Sequence, residues 1–176
     1  SFTNSMITFL SDRFLDVELI VEDETGLKIP VSSIVQKEFF LIPEKFIIPG
    51  GNNGGDSIRR QCYLEDGTIS SETVEVEVYY FDSESGEYYL DSSILSSGEN
   101  LYDSEGQETF TVSKRATLVG VYNMNKGYAD FKQITVLYEN EEYAIIKPNT
   151  KYGLSVYDYI VLDAGTVRDD QFINQK

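Results

Sequence analysis

The chain has no histidine, no tryptophan and one cysteine in 176 residues. Without histidine there is no Ser-His-Asp or Cys-His nucleophile system and no His-ligated metal site. The lone Cys62 allows no internal disulfide, and its setting in Arg60-Gln61-Cys62-Tyr63-Leu64 reads as a small hydrophobe packed on a strand. The redox compartment is therefore left open. No apolar run approaches the roughly 18 residues of a membrane-spanning helix, and no signal-peptide pattern is present. The chain starts at Ser1 rather than at a methionine and is read as a fragment, so the lack of a targeting signal says nothing about the intact protein. Basic residues are also scarce. Fourteen Lys and Arg face thirty Asp and Glu, a formal charge of −16. Such a chain repels a phosphate backbone and an anionic membrane surface at long range, which excludes nucleic acid as a partner. Solubility is the ordinary reason for this charge, and steering toward a basic partner is the alternative.

Apolar residues make up 41% of the chain, enough for a real core, and tyrosine (13) and phenylalanine (10) are abundant. Tyrosine suits half-buried strand faces, its ring packed and its hydroxyl wet. The stretch from Leu118 to Val167 organises the reading. Its apolar runs are Val119-Gly120-Val121-Tyr122, Phe131 to Tyr138, Tyr143 to Ile146 and Tyr157 to Leu162. A loop at Asn123 to Gly127 and a break at Asn140-Glu141-Glu142 separate the first three. β-Branched and aromatic residues with breaks at this spacing predict an antiparallel meander.

The earlier part reads as follows. Met6, Phe9, Leu10 and Arg13 recur at helical spacing and predict a short helix capped by Asn4 or Ser5. Phe14 to Glu22 alternates as one half-buried strand, turned at Asp23 to Gly26. Leu27 to Pro30 is a strand entry or edge, since Pro30 has no N–H for a ladder, and Val31 to Val35 resumes it. Glu38 to Pro43 is a further apolar run, and Pro43-Glu44-Lys45-Phe46 predicts a helical turn. Pro49 to Ser57 is glycine- and asparagine-rich. It lacks the Lys-Ser/Thr of a P-loop and reads as a mobile loop. Arg59 to Leu64 is a strand turned at Glu65 to Thr68. Thr73 to Phe81 is the clearest strand, with Val74, Val76 and Val78 opposing Glu75 and Glu77. Asp82 to Glu87 is its hairpin turn, and Tyr88-Tyr89-Leu90 returns. Asp91 to Gly106 reads as polar and irregular, and Thr109 to Val112 as extended.

Candidate sites fare poorly on sequence grounds. Asp82, Glu84 and Glu87, or Asp103 and Glu105, offer oxygens to calcium, but neither set fits the twelve-residue calcium loop. Glu75 and Glu77 share one strand face, as solvated carboxylates usually do, rather than flanking a substrate. Tyr79-Tyr80 and Tyr88-Tyr89 invite sugar stacking, yet alternation on a strand puts one of each pair inward. The sequence thus nominates no catalytic, cofactor-binding or metal-binding residue and leaves binding residues open. The best interaction candidates are exposed acidic and aromatic positions between residues 36 and 116.

The order of the segments supports a resemblance. Gly26-Leu27-Lys28-Ile29-Pro30-Val31-Ser32-Ser33-Ile34 resembles the G-L-K-I-P-x-S-A-I segment of HlyD-type membrane fusion proteins, the adaptor subunits of efflux and secretion systems. Gly120 to Met124 resembles their G-V-Y-V-V strand, Phe131 to Tyr138 their F-R-P-V-x-V-L-Y strand, and Gly153 to Asp163 their closing G-L-x-x-G-D-x-V-V-x-x. The divergent Gram-positive branch is closest, since Tyr157 stands where a glycine is common. The resemblance covers residues 14–35 and 117–173. The link between these motifs is much longer here than is usual in the family. The resemblance implies an all-β, mainly antiparallel fold with one or two short helices. Residues 1–35 would end a β-barrel-like segment, 36–116 would be an insertion with a β-hairpin and a flexible loop, and 117–176 a membrane-proximal-type meander. It further implies a non-catalytic extracytoplasmic adaptor, without cofactor, that packs on a membrane transporter and on neighbouring copies of itself. A membrane anchor, a lipoyl-like domain and an α-helical hairpin would precede Ser1. Such an adaptor should bring the strand around Asp16–Val21 and the segment Leu27–Val35 onto the residues 117–163. The alternative is a cell-surface β module that binds glycan or protein, which should show a groove lined by tyrosines.

Overall fold

The computed structural model describes residues 7–8, 17–19, 21–22, 26–51, 54–125, 128–148, 150–154 and 159–161. In chain order its strands are β1 (Ile7–Thr8), β2 (Val17–Leu19), β3 (Val21–Glu22), β4 (Leu27–Pro30), β5 (Val35–Pro43), β6 (Asp56–Tyr63), β7 (Ile69–Val76) and β8 (Val78–Asp82). They continue as β9 (Glu87–Asp91), β10 (Asn100–Tyr102), β11 (Thr109–Thr111), β12 (Arg115–Asn125), β13 (Tyr128–Gln133), β14 (Val136–Glu139), β15 (Tyr143–Ile146) and β16 (Tyr159–Val161). Single 3-10 turns occupy Val31–Ser33 and Glu44–Phe46. The fold is all-β and mainly antiparallel, with a nearly closed, barrel-like sheet and no helix of seven or more residues among the described ones.

Two compact units divide the chain. The first comprises 1–37 and 118–176, the second 38–117. In the first unit the two chain ends interleave. β4 pairs antiparallel with β15, Ile29 opposite Ala144, and β3 pairs with β4. β2 pairs with β16, and Ile160 of β16 faces Asn123 of β12. Of the segments expected to meet residues 117–163, Asp16–Val21 and Leu27–Val35, the parts Val17–Leu19 and Leu27–Pro30 pair with β16 and β15, whereas Val21–Glu22 pairs with β4. Alternation in β4 and β15 turns Leu27, Ile29, Ala144 and Ile146 into a core with Val121, Ile134, Leu154 and Ile160.

The second unit has its own core of Phe40, Ile42, Phe46, Ile47, Ile58, Leu90, Leu95, Leu101 and Val112. One sheet runs β5-β9-β8 and another β11-β10-β6-β7. The two ends of this unit lie side by side. The Leu41 N–H donates to the Lys114 carbonyl at 2.9 Å, and Arg115 meets Glu38 at 3.1 Å with its guanidinium over the Phe40 ring.

Several expectations are corrected. Ile7–Thr8 is extended and pairs with β2, so the helix is not formed there; the other residues of that stretch lie outside the described ones. A pattern under three turns has too little length to hold a helix against a β partner. The expected strand Phe14–Glu22 is divided between β2 and β3, which pair in different sheets, and its other residues lie outside the described ones. Val31–Ser33 is a 3-10 turn rather than strand, because the buried Ser33 hydroxyl donates to the Pro30 carbonyl and turns the chain. The expected strand Thr73–Phe81 breaks at Glu77. β7 pairs with β6 and β8 with β9, so one continuous alternating run serves two sheets. β6 begins at Asp56, inside the expected glycine-rich loop, and the Gly51 N–H donates to the Gly55 carbonyl at 2.8 Å. β10 lies within a stretch read as irregular, where Leu101 is fully buried. The loop expected at Asn123 to Gly127 is mostly hairpin, with strand pairs continuing to Asn125 opposite Tyr128. The run from Phe131 to Tyr138 divides between β13 and β14, and β15 and β16 pair with the N-terminal segment, so the simple meander is not formed.

Gly120 is a tight point in the first unit. It lies opposite Gln133, and a Cβ there would run into the Lys132 carbonyl and the Phe131 ring. Gly120→Ala is expected to destabilise the protein by about 1–3 kcal/mol through overpacking. Urea denaturation checks this, and an unchanged midpoint would contradict it.

Candidate functional site

The sheet β11-β10-β6-β7 has two unlike faces. One carries Ile58, Leu101, Val74 and Phe110 into the core of the second unit. The same face carries Arg60, held to Glu72 at 2.7 Å and to the Ile94 carbonyl at 3.1 Å. The hydrogen bond to Glu72 raises the Arg60 pKa, so that guanidinium is a fixed structural cation. The Oε1 atom of Glu99, whose other oxygen lies 3.8 Å from Arg60, is buried and makes no hydrogen bond among the described residues.

The opposite face is wet and chemically ordered. Alternation puts Arg59, Gln61 and Tyr63 of β6 on it, next to Ile69, Ser71 and Thr73 of β7 and Asn100 and Tyr102 of β10. The side chains are cross-linked. Asn100 Nδ2 donates to Gln61 Oε1 at 2.9 Å, Thr111 Oγ1 to Asn100 Oδ1 at 2.7 Å, and Gln61 Nε2 to the Tyr63 hydroxyl at 3.2 Å. Arg59 Nε donates to Ser71 Oγ at 3.2 Å, and Arg59 makes no ion pair among the described residues. Two shallow depressions open on this sheet. One of about 240 Å³ includes Arg59, Ser71 and Tyr102, and one of about 330 Å³ includes Gln61, Tyr63 and Asn100. Tyr63 is 67% exposed.

The residues singled out in the sequence lie elsewhere. Glu75 is exposed on β7 and Glu77 lies between strands, with the Tyr79 hydroxyl donating to it at 3.3 Å. Tyr79, Tyr80, Tyr88 and Tyr89 are half-buried in an aromatic cluster. Tyr79 packs on Phe39 at 5.2 Å, Tyr89 on Tyr80 at 5.5 Å, and Tyr88 on Phe81 at 4.4 Å. Burial raises the Tyr89 pKa, so its ring is structural rather than an open platform. Cys62 is half-buried on β6. Asp82 caps its hairpin by accepting from the Glu84 N–H, and Lys114 binds the Glu87 carboxylate. Among the described residues no three His, Cys, Asp or Glu side chains converge as metal ligands. The wet face of β6 carries no motif, and only the alternation of Arg59, Gln61 and Tyr63 announced it.

In the first unit Val136, Leu137 and Tyr138 of β14 are exposed, as is Tyr128 of β13, and among the described residues β14 is an edge strand paired with β15.

Asp103 anchors the turn after β10. Partial burial pushes its pKa up, but the backbone N–H groups of Gln107, Glu108, Gly106 and Glu105 outweigh that and hold the carboxyl below its ordinary range. A depressed acid contributes stability that is present above its unfolded value, near 3.9, and is lost as pH falls through the lower folded value. An NMR titration of the Asp103 carboxyl carbon should give a midpoint below about 3.9. A midpoint at or above it would contradict the anchoring.

No family model, curated protein or solved structure matches the chain.

Proposed function

We propose that this chain is the non-catalytic, extracytoplasmic adaptor portion of a membrane fusion protein that supports a membrane transporter in efflux or secretion. The observation that carries the reading is the closure of the two chain ends. The strand Leu27–Pro30, which bears the G-L-K-I-P motif, pairs with Tyr143–Ile146, and Val17–Leu19 pairs with Tyr159–Val161. The four segments that resemble the adaptor family thus contribute to one unit, and the long middle stretch folds on a core of its own. The work of such an adaptor is mechanical. It needs stiff sheets and strand edges on which a transporter or a second copy can pack. β14 supplies one such edge among the described residues, with Val136, Leu137 and Tyr138 exposed. No helix among the described residues is long and apolar enough to cross a membrane, and attachment on this reading comes from an anchor upstream.

The alternative, a surface module binding glycan or protein through Tyr79-Tyr80 and Tyr88-Tyr89, is weakened by the packing of those rings.

The test is affinity purification of the full-length gene product from native membranes in mild detergent. An integral membrane transporter in near-stoichiometric amount is the expected companion. Purification without any integral membrane protein would overturn the proposal.

A further inference from the structure

The wet face of the sheet β11-β10-β6-β7 has no part in the adaptor role, and its chemistry is unlike that of a docking patch. Protein interfaces are built around a desolvated apolar centre. The centre of this face is Arg59, Gln61, Ser71 and Asn100, and its exposed apolar residues, Tyr63 and Ile69, stand at one end. We infer that this face is a binding site for a neutral oligosaccharide.

Three observations converge on that ligand. First, the polar groups are held in place before any ligand arrives. The chain Thr111, Asn100, Gln61, Tyr63 is a continuous run of hydrogen bonds across three strands. Each amide uses one N–H within the run and keeps a second for a ligand, so paired sugar hydroxyls find donors and acceptors at fixed spacing. Arg59 is likewise fixed by Ser71 and offers further donors. Little side-chain entropy is then lost on binding. Second, an aromatic ring stands open beside these groups. Tyr63 is 67% exposed and borders the 330 Å³ depression with Gln61 and Asn100. The C–H face of a pyranose packs on such a ring while its hydroxyls reach the amides, the same division of labour that puts Tyr where one end is apolar and the other wet. Third, the surface is shallow and open at two neighbouring places. Depressions of about 240 and 330 Å³ lie on one sheet, near or below the lower end of the range for enclosed small-molecule sites, about 300–1,000 Å³. An extended chain of sugar units spans two shallow sites; a compact metabolite does not. The −16 charge of the chain selects against polyanionic glycans at long range, which leaves neutral ones.

The test is an NMR amide titration of this chain with a panel of neutral oligosaccharides built from glucose, mannose, galactose and N-acetylglucosamine, and with uronic-acid oligomers in parallel. The expected result is saturable shifts at 59–63, 69–71 and 98–102 with at least one neutral member, little affected by salt. Tyr63→Ala should weaken that binding about tenfold, whereas Tyr63→Phe, which keeps the ring, should stay within about threefold. Position 63 is on the surface, so the dispersed spectrum of each variant reports that it is folded. No shifts with any neutral member, shifts confined to other residues, binding of uronic-acid oligomers alone, or unchanged affinity in Tyr63→Ala would each overturn the assignment. None of these outcomes bears on whether a transporter co-purifies with the full-length protein.

Discussion

The antiparallel pairing of Leu27–Pro30 with Tyr143–Ile146 is the constraint on which the first unit depends. It joins residues more than a hundred positions apart and, with alternation, drives Leu27, Ile29, Ala144 and Ile146 into one core. Closing a flexible loop of that length would cost about 4 kcal/mol of chain entropy beyond the constant term. The second unit removes most of that cost. Its first and last residues are held together by the Leu41–Lys114 hydrogen bond and the Glu38–Arg115 ion pair. Once the middle of the chain has folded, the ends that must meet already leave it side by side. An insertion of this size is tolerated for that reason.

The second unit is itself built on one economy. A single alternating run, Ile69 to Asp82, supplies a strand to each of two sheets. Val74, Val76 and Val78 pack toward the core on both sides of the break at Glu77, so the inward pattern survives the change of partner. The result is a sheet with a dry face and a wet face. The dry face fixes Ile58 and Leu101. The wet face holds Arg59, Gln61 and Asn100 in a geometry that backbone pairing dictates. Stiffness and a presented polar surface thus follow from the same register.

Much of this fold was legible in the sequence. The alternation of Thr73–Phe81 and the apolar run Tyr143–Ile146 marked extended chain, though the first divides at Glu77, and Gly67 and Gly86 marked turns that take positive φ. What periodicity does not carry is partner choice. Nothing local distinguishes Val76 from Val78, yet they belong to different sheets. Leu101 sits in a polar stretch, and pairing with β11 on one side and β6 on the other makes Asn100–Tyr102 a strand. The amphipathic pattern near Met6 has both helical and extended readings, and pairing with β2 decides for the latter at Ile7–Thr8. The site was less legible still. Consecutive tyrosines were visible, but their burial depends on Phe39 and Phe81 across the sheet. The amide pair Gln61 and Asn100 is 39 residues apart in sequence and adjacent only through strand pairing.

The most direct test of this account is a set of interstrand nuclear Overhauser effects in the intact chain. Close approaches across Ile29–Ala144 and Leu19–Tyr159 are predicted, together with those across Asn123–Ile160. Their absence in a well-dispersed spectrum, with the N-terminal segment reporting contacts only to itself, would contradict the closure of the two chain ends.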